Sequence, residues 1–273
     1  LFFSLMTWLT PSLAADAATV ARFKGLEGTL NFAGGTAHIP VVQDCAKRIR
    51  SYNPKVRITV AGGGSGVGVQ KLGEGLVDIG STGRPLSQAE IERYGLRTFP
   101  FAIDGVAIVV NPANPVKALT ASQVQAIYSG KVSNWKELGG KDHAIDLVTR
   151  DEASGTREVF ASKLLKEAQI AATASIVPSN GAVKTAVARD PNAIGYVSIG
   201  HVDASVKAIV LDGIAPTQIA ARDGSYPVTR NLYFNTKGEP SPLALAFFDY
   251  LYGPEGAKII AKAGYIAIPR KGQ

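Results

Sequence analysis

Short β-rich runs alternate with helical stretches along most of this chain, and that alternation restricts the fold more than any other property of the sequence. "GTLNFAG" is followed by a helical pattern from about Ile39, "RITVAG" by one from about Gly66, and "DIGSTG" by one from about Gln88. Strands that alternate with helices build a largely parallel sheet covered by those helices. Two helix starts carry the capping-box pattern, Ser87-x-x-Glu90 and Thr120-x-x-Gln123, and Pro242 and Pro254 fit first-turn positions where a missing N–H costs nothing.

"GVAIVVNP" at 105–112 reads as a strand buried on both faces, and "VTRNLYFN" at 228–235 also has strand character. Between them a second α/β alternation runs through "HAIDLVTR", "ASIVPS", "AIGYVS" and "KAIVLDG". If the two flanking runs carry the chain out of one lobe and back, the fold class is α/β with two lobes and two hinge crossovers. Lobe 1 would comprise 15–105 with 232–273, and lobe 2 would comprise 106–231. A length of 273 residues with 46% hydrophobic content supplies two cores. A small ligand would then sit in the cleft between the lobes.

Residues 1–14, "LFFSLMTWLTPSLA", read as the remnant of a secretory signal peptide, with an apolar run before a Ser12-x-Ala14 cleavage pattern. The run falls short of the roughly 20 apolar residues needed to span a bilayer. The expectation is an exported, periplasmic, soluble monomer. The one cysteine, Cys45, permits no internal disulfide and sits at an inward helical position, as a core residue. A formal charge of +7 suits an anionic small ligand. The basic residues are scattered singly without an aromatic stripe, which argues against nucleic acid as a partner.

No cofactor is implied. The glycine cluster "GGGSGVG" at 62–68 is followed by no G-K-[ST], so it is not a nucleotide P-loop. A G-x-G-x-x-G spacing can be read from Gly63, but no acid lies at the dinucleotide distance, and Asp78 comes too early. His38, His143 and His201 lack any metal-ligand spacing and read as polar surface residues.

Four segments share one design, a strand end running into a helix start through small or hydroxyl residues. They contain Thr36, Ser65, Ser154 with Thr156, and Asn180. Unsatisfied backbone N–H groups and the helix dipole make such a turn an anion site, although any one of them is equally an ordinary N-cap. Arg150, four residues before Ser154, adds a permanent charge whose planar fork matches two oxygens of a tetrahedral anion. Asp104 precedes a crossover, where a carboxylate would accept the proton of a protonated oxyanion or else simply cap the turn before Gly105. Trp135 and Tyr196 read as packing residues.

With these residues in hand, the chain resembles the periplasmic phosphate-binding proteins of ABC phosphate importers, the PstS-like substrate-binding family, from about Leu30 onward. The resemblance rests on "FAGGTAHIPVV", "VAGGGSGVGVQKLGEGLVDIGSTGRPL", "DGVAIVVNP", "RDEASGTREVF", "SNGAVKTAVARDPNAIGYVS" and "PLALAFFDYLYGPEGAKIIAKAGYIAI", in that order. It implies a hinge-bending two-lobed fold, inorganic phosphate as ligand and ABC permease subunits as partners. It also implies that Thr36, the Ala37 N–H, Ser65, Arg150, Ser154, Gly155 and Thr156 surround the phosphate, with Asp104 as the candidate acceptor for its proton and Asp78 structural. Two positions depart from the family: Ala37 stands where a hydroxyl is common, and Gly83 where relatives often carry serine or a ligand-facing aspartate. Those departures keep open another oxyanion such as sulfate, or a sensing or adhesion module without transport. An enzyme with Ser65 or Ser154 as nucleophile is disfavoured, because no base or metal set accompanies either serine.

Overall fold

The structure, a computed structural model, describes residues 21–270. The leader sequence read at 1–14 lies outside them. Strands β1 (Gly28–Gly34), β2 (Val56–Gly63) and β3 (Ile79–Thr82) alternate with helices α1 (Ile39–Tyr52), α2 (Gly64–Gly73) and α3 (Gln88–Tyr94). β1 pairs in parallel with both β2 and β3, as strand-helix alternation requires. A second alternation begins with helix α4 (Ala121–Tyr128) and runs through β5 (Asp146–Arg150), α5 (Gly155–Phe160), β6 (Ser175–Val177), α6 (Asn180–Arg189) and β7 (Ala193–Ser198). There β5 pairs in parallel with β6 and β7.

Two long strands join these halves. β4 spans Leu96–Val110, so the apolar run read at 105–112 is only the second half of a 15-residue strand. Its partner β8, Thr229–Lys237, runs antiparallel to it from Gly105↔Thr229 to Leu96↔Lys237. The sheet order is therefore β2-β1-β3-β8-β4-β7-β5-β6, continuous through both lobes and antiparallel where the chain crosses between them. Helices α7 (Pro242–Leu251) and α8 (Pro254–Lys262) close the first lobe, each with proline in its first turn.

Burial divides along the same line. One core contains Leu30, Phe32, Val41, Phe101, Leu232, Phe234 and Phe247; another contains Ile108, Tyr128, Trp135, Phe160, Tyr196 and Val228. The division falls between Ala102 and Val106 on β4, and between Val228, just before β8, and Leu232 on β8. Both lobes are thus anchored on the same two strands, and few residues of those strands separate the cores.

Ser87 and Thr120 form reciprocal capping boxes with Glu90 and Gln123. Cys45 is fully buried, and Trp135 packs in the second core with its Nε1 donating to the Asn192 carbonyl at 2.8 Å. The histidines depart in part from the surface reading. His143 is exposed, but His38 is fully buried against Phe101 and Phe234, with its ring nitrogens 3.1 Å from the Gly35 and Tyr233 carbonyls. It lies in the turn that links β1 to α1, so the chain packs this side chain under the sheet. No helix among the described residues is long and apolar enough to cross a membrane.

Candidate anion site between the lobes

The site residues expected from the sequence, Asp104 aside, come from turns at strand ends. β1 finishes at Gly34 with φ +128°, where an added Cβ would lie 2.3 Å from the Ser81 carbonyl oxygen. Only glycine lets these two strand ends approach so closely, and Gly35, Thr36 and Ala37 follow directly. The β2–α2 turn passes Gly63 and Gly64, both at positive φ, before Ser65. In the second lobe β5 ends at Arg150, and Ser154 caps α5 by accepting from the Arg157 N–H at 3.2 Å.

The two sets of turns meet. Gly66 N–H donates to the Ala153 carbonyl at 3.0 Å, joining the lobes backbone to backbone. Between them lies a small, nearly filled cavity lined by Thr36, Ala37, Ser65, Arg150, Ser154, Gly155 and Thr156, seven of the eight residues that the family resemblance assigns to the phosphate site. Gly35, Gly64, Gly83 and Arg230 complete the lining. Asn180 lies outside it: its backbone N–H and Nδ2 both donate to Thr36 Oγ1, at 3.2 and 3.0 Å, and its Oδ1 accepts from Ser198 N–H.

The hydroxyls share a polarity. Thr36 Oγ1 accepts twice from Asn180, Ser65 Oγ accepts from Gly83 N–H at 3.0 Å, and Ser154 Oγ accepts from Arg157 N–H. A hydroxyl whose oxygen already receives a protein N–H keeps its own proton to give. Three protons are therefore available to an acceptor in the cavity.

Arg150 is held from behind. Its Nε donates to the Val177 carbonyl at 3.2 Å and its Nη2 to the Pro178 carbonyl at 3.0 Å, while Nη1 is buried with no protein partner. Tyr196, read as a packing residue, also makes polar contacts: its hydroxyl accepts from Arg150 N–H and shares a 2.7 Å hydrogen bond with Thr149. Burial is the chief influence lowering the Arg150 pKa; the Asp151 carboxylate opposes it, and Arg230 adds repulsion. A guanidinium remains charged under such pressure, so the site holds a buried positive charge that an anion would neutralise.

Asp104, the expected acceptor for the ligand proton, is placed against Arg230 and Ser198. It lies outside the cavity lining, and both carboxylate oxygens are engaged. Oδ1 accepts from Ser198 Oγ at 2.8 Å; Oδ2 accepts from Arg230 Nε at 2.9 Å and lies 2.8 Å from Nη2 of the same guanidinium. Burial pushes the Asp104 pKa up, while Arg230 and then Ser198 pull against that shift. Asp78, by contrast, binds the Asn31 backbone and side-chain amides, a structural position.

Arg230 escapes the sequence reading because it sits mid-strand in β8 and not at a strand-to-helix turn. The available signal was a lone arginine within "VTRNLYFN". It is the direct cross-strand partner of Asp104 in the β4–β8 ladder. The unusual Gly83 fits beside it: a Cβ there would lie 2.6 Å from Arg230 Nη1.

Among the described residues no group of three or more His, Cys, Asp or Glu side chains could hold a metal ion. Neither Ser65 nor Ser154 is hydrogen-bonded to a histidine or a carboxylate. His38 faces carbonyl oxygens, and burial holds its pKa down at about 3. His201, part-buried, is lowered to about 4 for the same reason.

Comparison with known proteins bears on this geometry. Residues 18–255 match the family model described as a PBP superfamily domain. The phosphate-binding protein PstS of Bacillus subtilis (strain 168) is 37% identical over 244 residues, covering 88% of this chain and 81% of the relative. Among solved structures, a putative phosphate ABC transporter substrate-binding protein with bound phosphate from Clostridium perfringens superposes with a TM-score of 0.84 at 34% identity, covering 88% of this chain and 100% of the other. An ABC-type phosphate transport receptor from Vibrio cholerae has a TM-score of 0.70 at 36% identity, with the same coverages.

Proposed function

The chain belongs to the PBP superfamily, among its phosphate-binding proteins, and from that premise we propose that it captures inorganic phosphate between its lobes and delivers it to the permease of an ABC importer. The observation that carries the reading is the set of unspent donors around one cavity: the Thr36, Ser65 and Ser154 hydroxyl protons and the unpartnered Nη1 of buried Arg150. Thr156, the Gly155 backbone and the Ala37 backbone complete the cage. Phosphate oxygens would accept these bonds, and the charge-assisted one from Arg150 is the strongest of them.

Donors from both lobes converge, so a bound anion stabilises the closed arrangement more than an open one. Closure then follows from that difference in affinity. Lobe 1, 15–105 with 232–273, and lobe 2, 106–231, would move about the short stretches of β4 and β8 that separate the two cores. The proposed setting is extracytoplasmic, with export by the leader read at 1–14, and the protein works as a monomer. It acts by binding, without covalent chemistry, because no serine in the cavity has a base to activate it.

Calorimetric titration of the ligand-stripped protein with phosphate and with sulfate at neutral pH tests this. Saturable phosphate binding at one site per chain is expected. Preference for sulfate would reassign the ligand, and binding of neither would shift the reading to a sensing or adhesion module.

A further inference from the structure

We propose that Arg230 is a second guanidinium ligand of the captured anion, that Asp104 is its positioning residue, and that Gly83 is the residue that makes room for it. The inference rests on the anion-binding reading of the cavity and extends it to the source of its charge preference.

Arg230 lines the same cavity as Arg150 and is almost wholly buried, its side chain 4% exposed. Its cross-strand partner Asp104 is fully buried outside the lining and holds Nε. Nη2 lies against the same carboxylate oxygen but makes no hydrogen bond of good geometry, so its donors are not fully used. Nη1 lies against Gly83, which is itself part of the lining. A carboxylate gripping one edge of a guanidinium orients the rest of the planar fork, and here the remaining edge is at the cavity.

The charge arrangement follows. Two guanidiniums line the cavity, and no carboxylate does. Asp104 neutralises part of the charge from outside, and Asp151 lies 3.9 Å from Arg150 Nη2. Such a site suits a tetrahedral oxyanion carrying two negative charges over one carrying a single charge. An aspartate or serine at position 83 would occupy the space of Nη1, so the glycine and the arginine belong together. Asp104 then affects affinity through Arg230, and does not contact the ligand proton.

Phosphate and sulfate dissociation constants, measured together with the melting temperature of the ligand-free protein, test the proposal in four variants. Arg230→Lys keeps a cation beside Asp104 but loses the fork; phosphate affinity should fall about tenfold or more. Asp104→Asn combined with Arg230→Met removes both buried charges at once, avoiding an unpaired carboxylate, and should weaken phosphate at least as much while the protein still melts cooperatively. Gly83→Ala should weaken phosphate by displacing the fork while leaving the ligand-free melting temperature within a few degrees. Asp104→Asn alone should weaken phosphate and sulfate by the same factor. Wild-type affinity in the Arg230→Lys and double variants would overturn the proposal, and so would a changed phosphate-to-sulfate ratio in Asp104→Asn, which would make Asp104 a direct acceptor. Failure of the underlying reading looks different: the wild-type protein would not bind phosphate, or Arg150→Ala would bind as tightly as wild type.

Discussion

Asn180 of the second lobe donates two hydrogen bonds, from its backbone N–H and its side-chain amide, to the single hydroxyl oxygen of Thr36 in the first. This contact fills both lone pairs of Thr36 Oγ1 and so aims its proton elsewhere. It also ties the lobes together 144 residues apart in sequence. Asn180→Ala removes the side-chain half and the Ser198 N–H acceptor. At about 1 kcal/mol for the one side-chain bond lost between the lobes, phosphate affinity should fall about fivefold, and small-angle scattering should show a more expanded ligand-free protein. Unchanged affinity and dimensions would mean that the contact does not contribute to closure.

Arg150→Ala should lower phosphate affinity by an order of magnitude or more, because hydrogen bonds to a charged group are worth about 1.5–3 kcal/mol each. Arg150→Lys should recover little of this. The Val177 and Pro178 carbonyls grip the planar fork from behind, and a lysine ammonium cannot reproduce that geometry. Titration calorimetry on both variants decides the matter.

Gly155→Ala separates binding from folding. The added Cβ would lie 2.2 Å from Ser65 Oγ on the opposite lobe, so it opposes the arrangement in which the two turns meet. Position 155 opens α5 without a positive φ, so its backbone accepts alanine without strain. The ligand-free protein should still melt cooperatively within a few degrees of wild type, and the stabilisation by saturating phosphate should shrink.

Acid should destabilise the fold partly through His38. Its folded pKa, about 3, lies below the ordinary value of 6.5, so between those two values the unfolded chain binds a proton that the folded chain does not. Stability is therefore fully present above about pH 6.5 and falls as pH drops toward 3, with a slope of up to about 1.4 kcal/mol per pH unit for one such group. His201, lowered to about 4, contributes with the same sign over a narrower window. Thermal melts of the ligand-free protein from pH 7 to pH 4 should show a steeper decline for wild type than for His38→Gln. Parallel curves would exclude His38 as a contributor.

Much of this molecule is written locally. The strand-helix alternation, the Ser87 and Thr120 capping boxes and the first-turn prolines at 242 and 254 depend on neighbours within a few residues, and the chain itself displays them. The same holds for the Thr36, Ser65 and Ser154 turns, where small and hydroxyl residues end a strand and open a helix. Arg150 could be linked to Ser154 because both lie in one turn.

The pairing of Asp104 with Arg230 lay beyond that reach. Each is a charged residue inside an apolar strand run, and nothing nearby in sequence says which side chain faces the cleft. Their partnership is set by the register of β4 against β8, across 126 residues. The sequence by itself determined the elements, their order and the turns that supply donors, because capping and periodicity act over a few residues. The tertiary structure alone decided which charge faces the cavity and which one holds it in place, because a buried ion pair forms only where two distant strands bring its partners together.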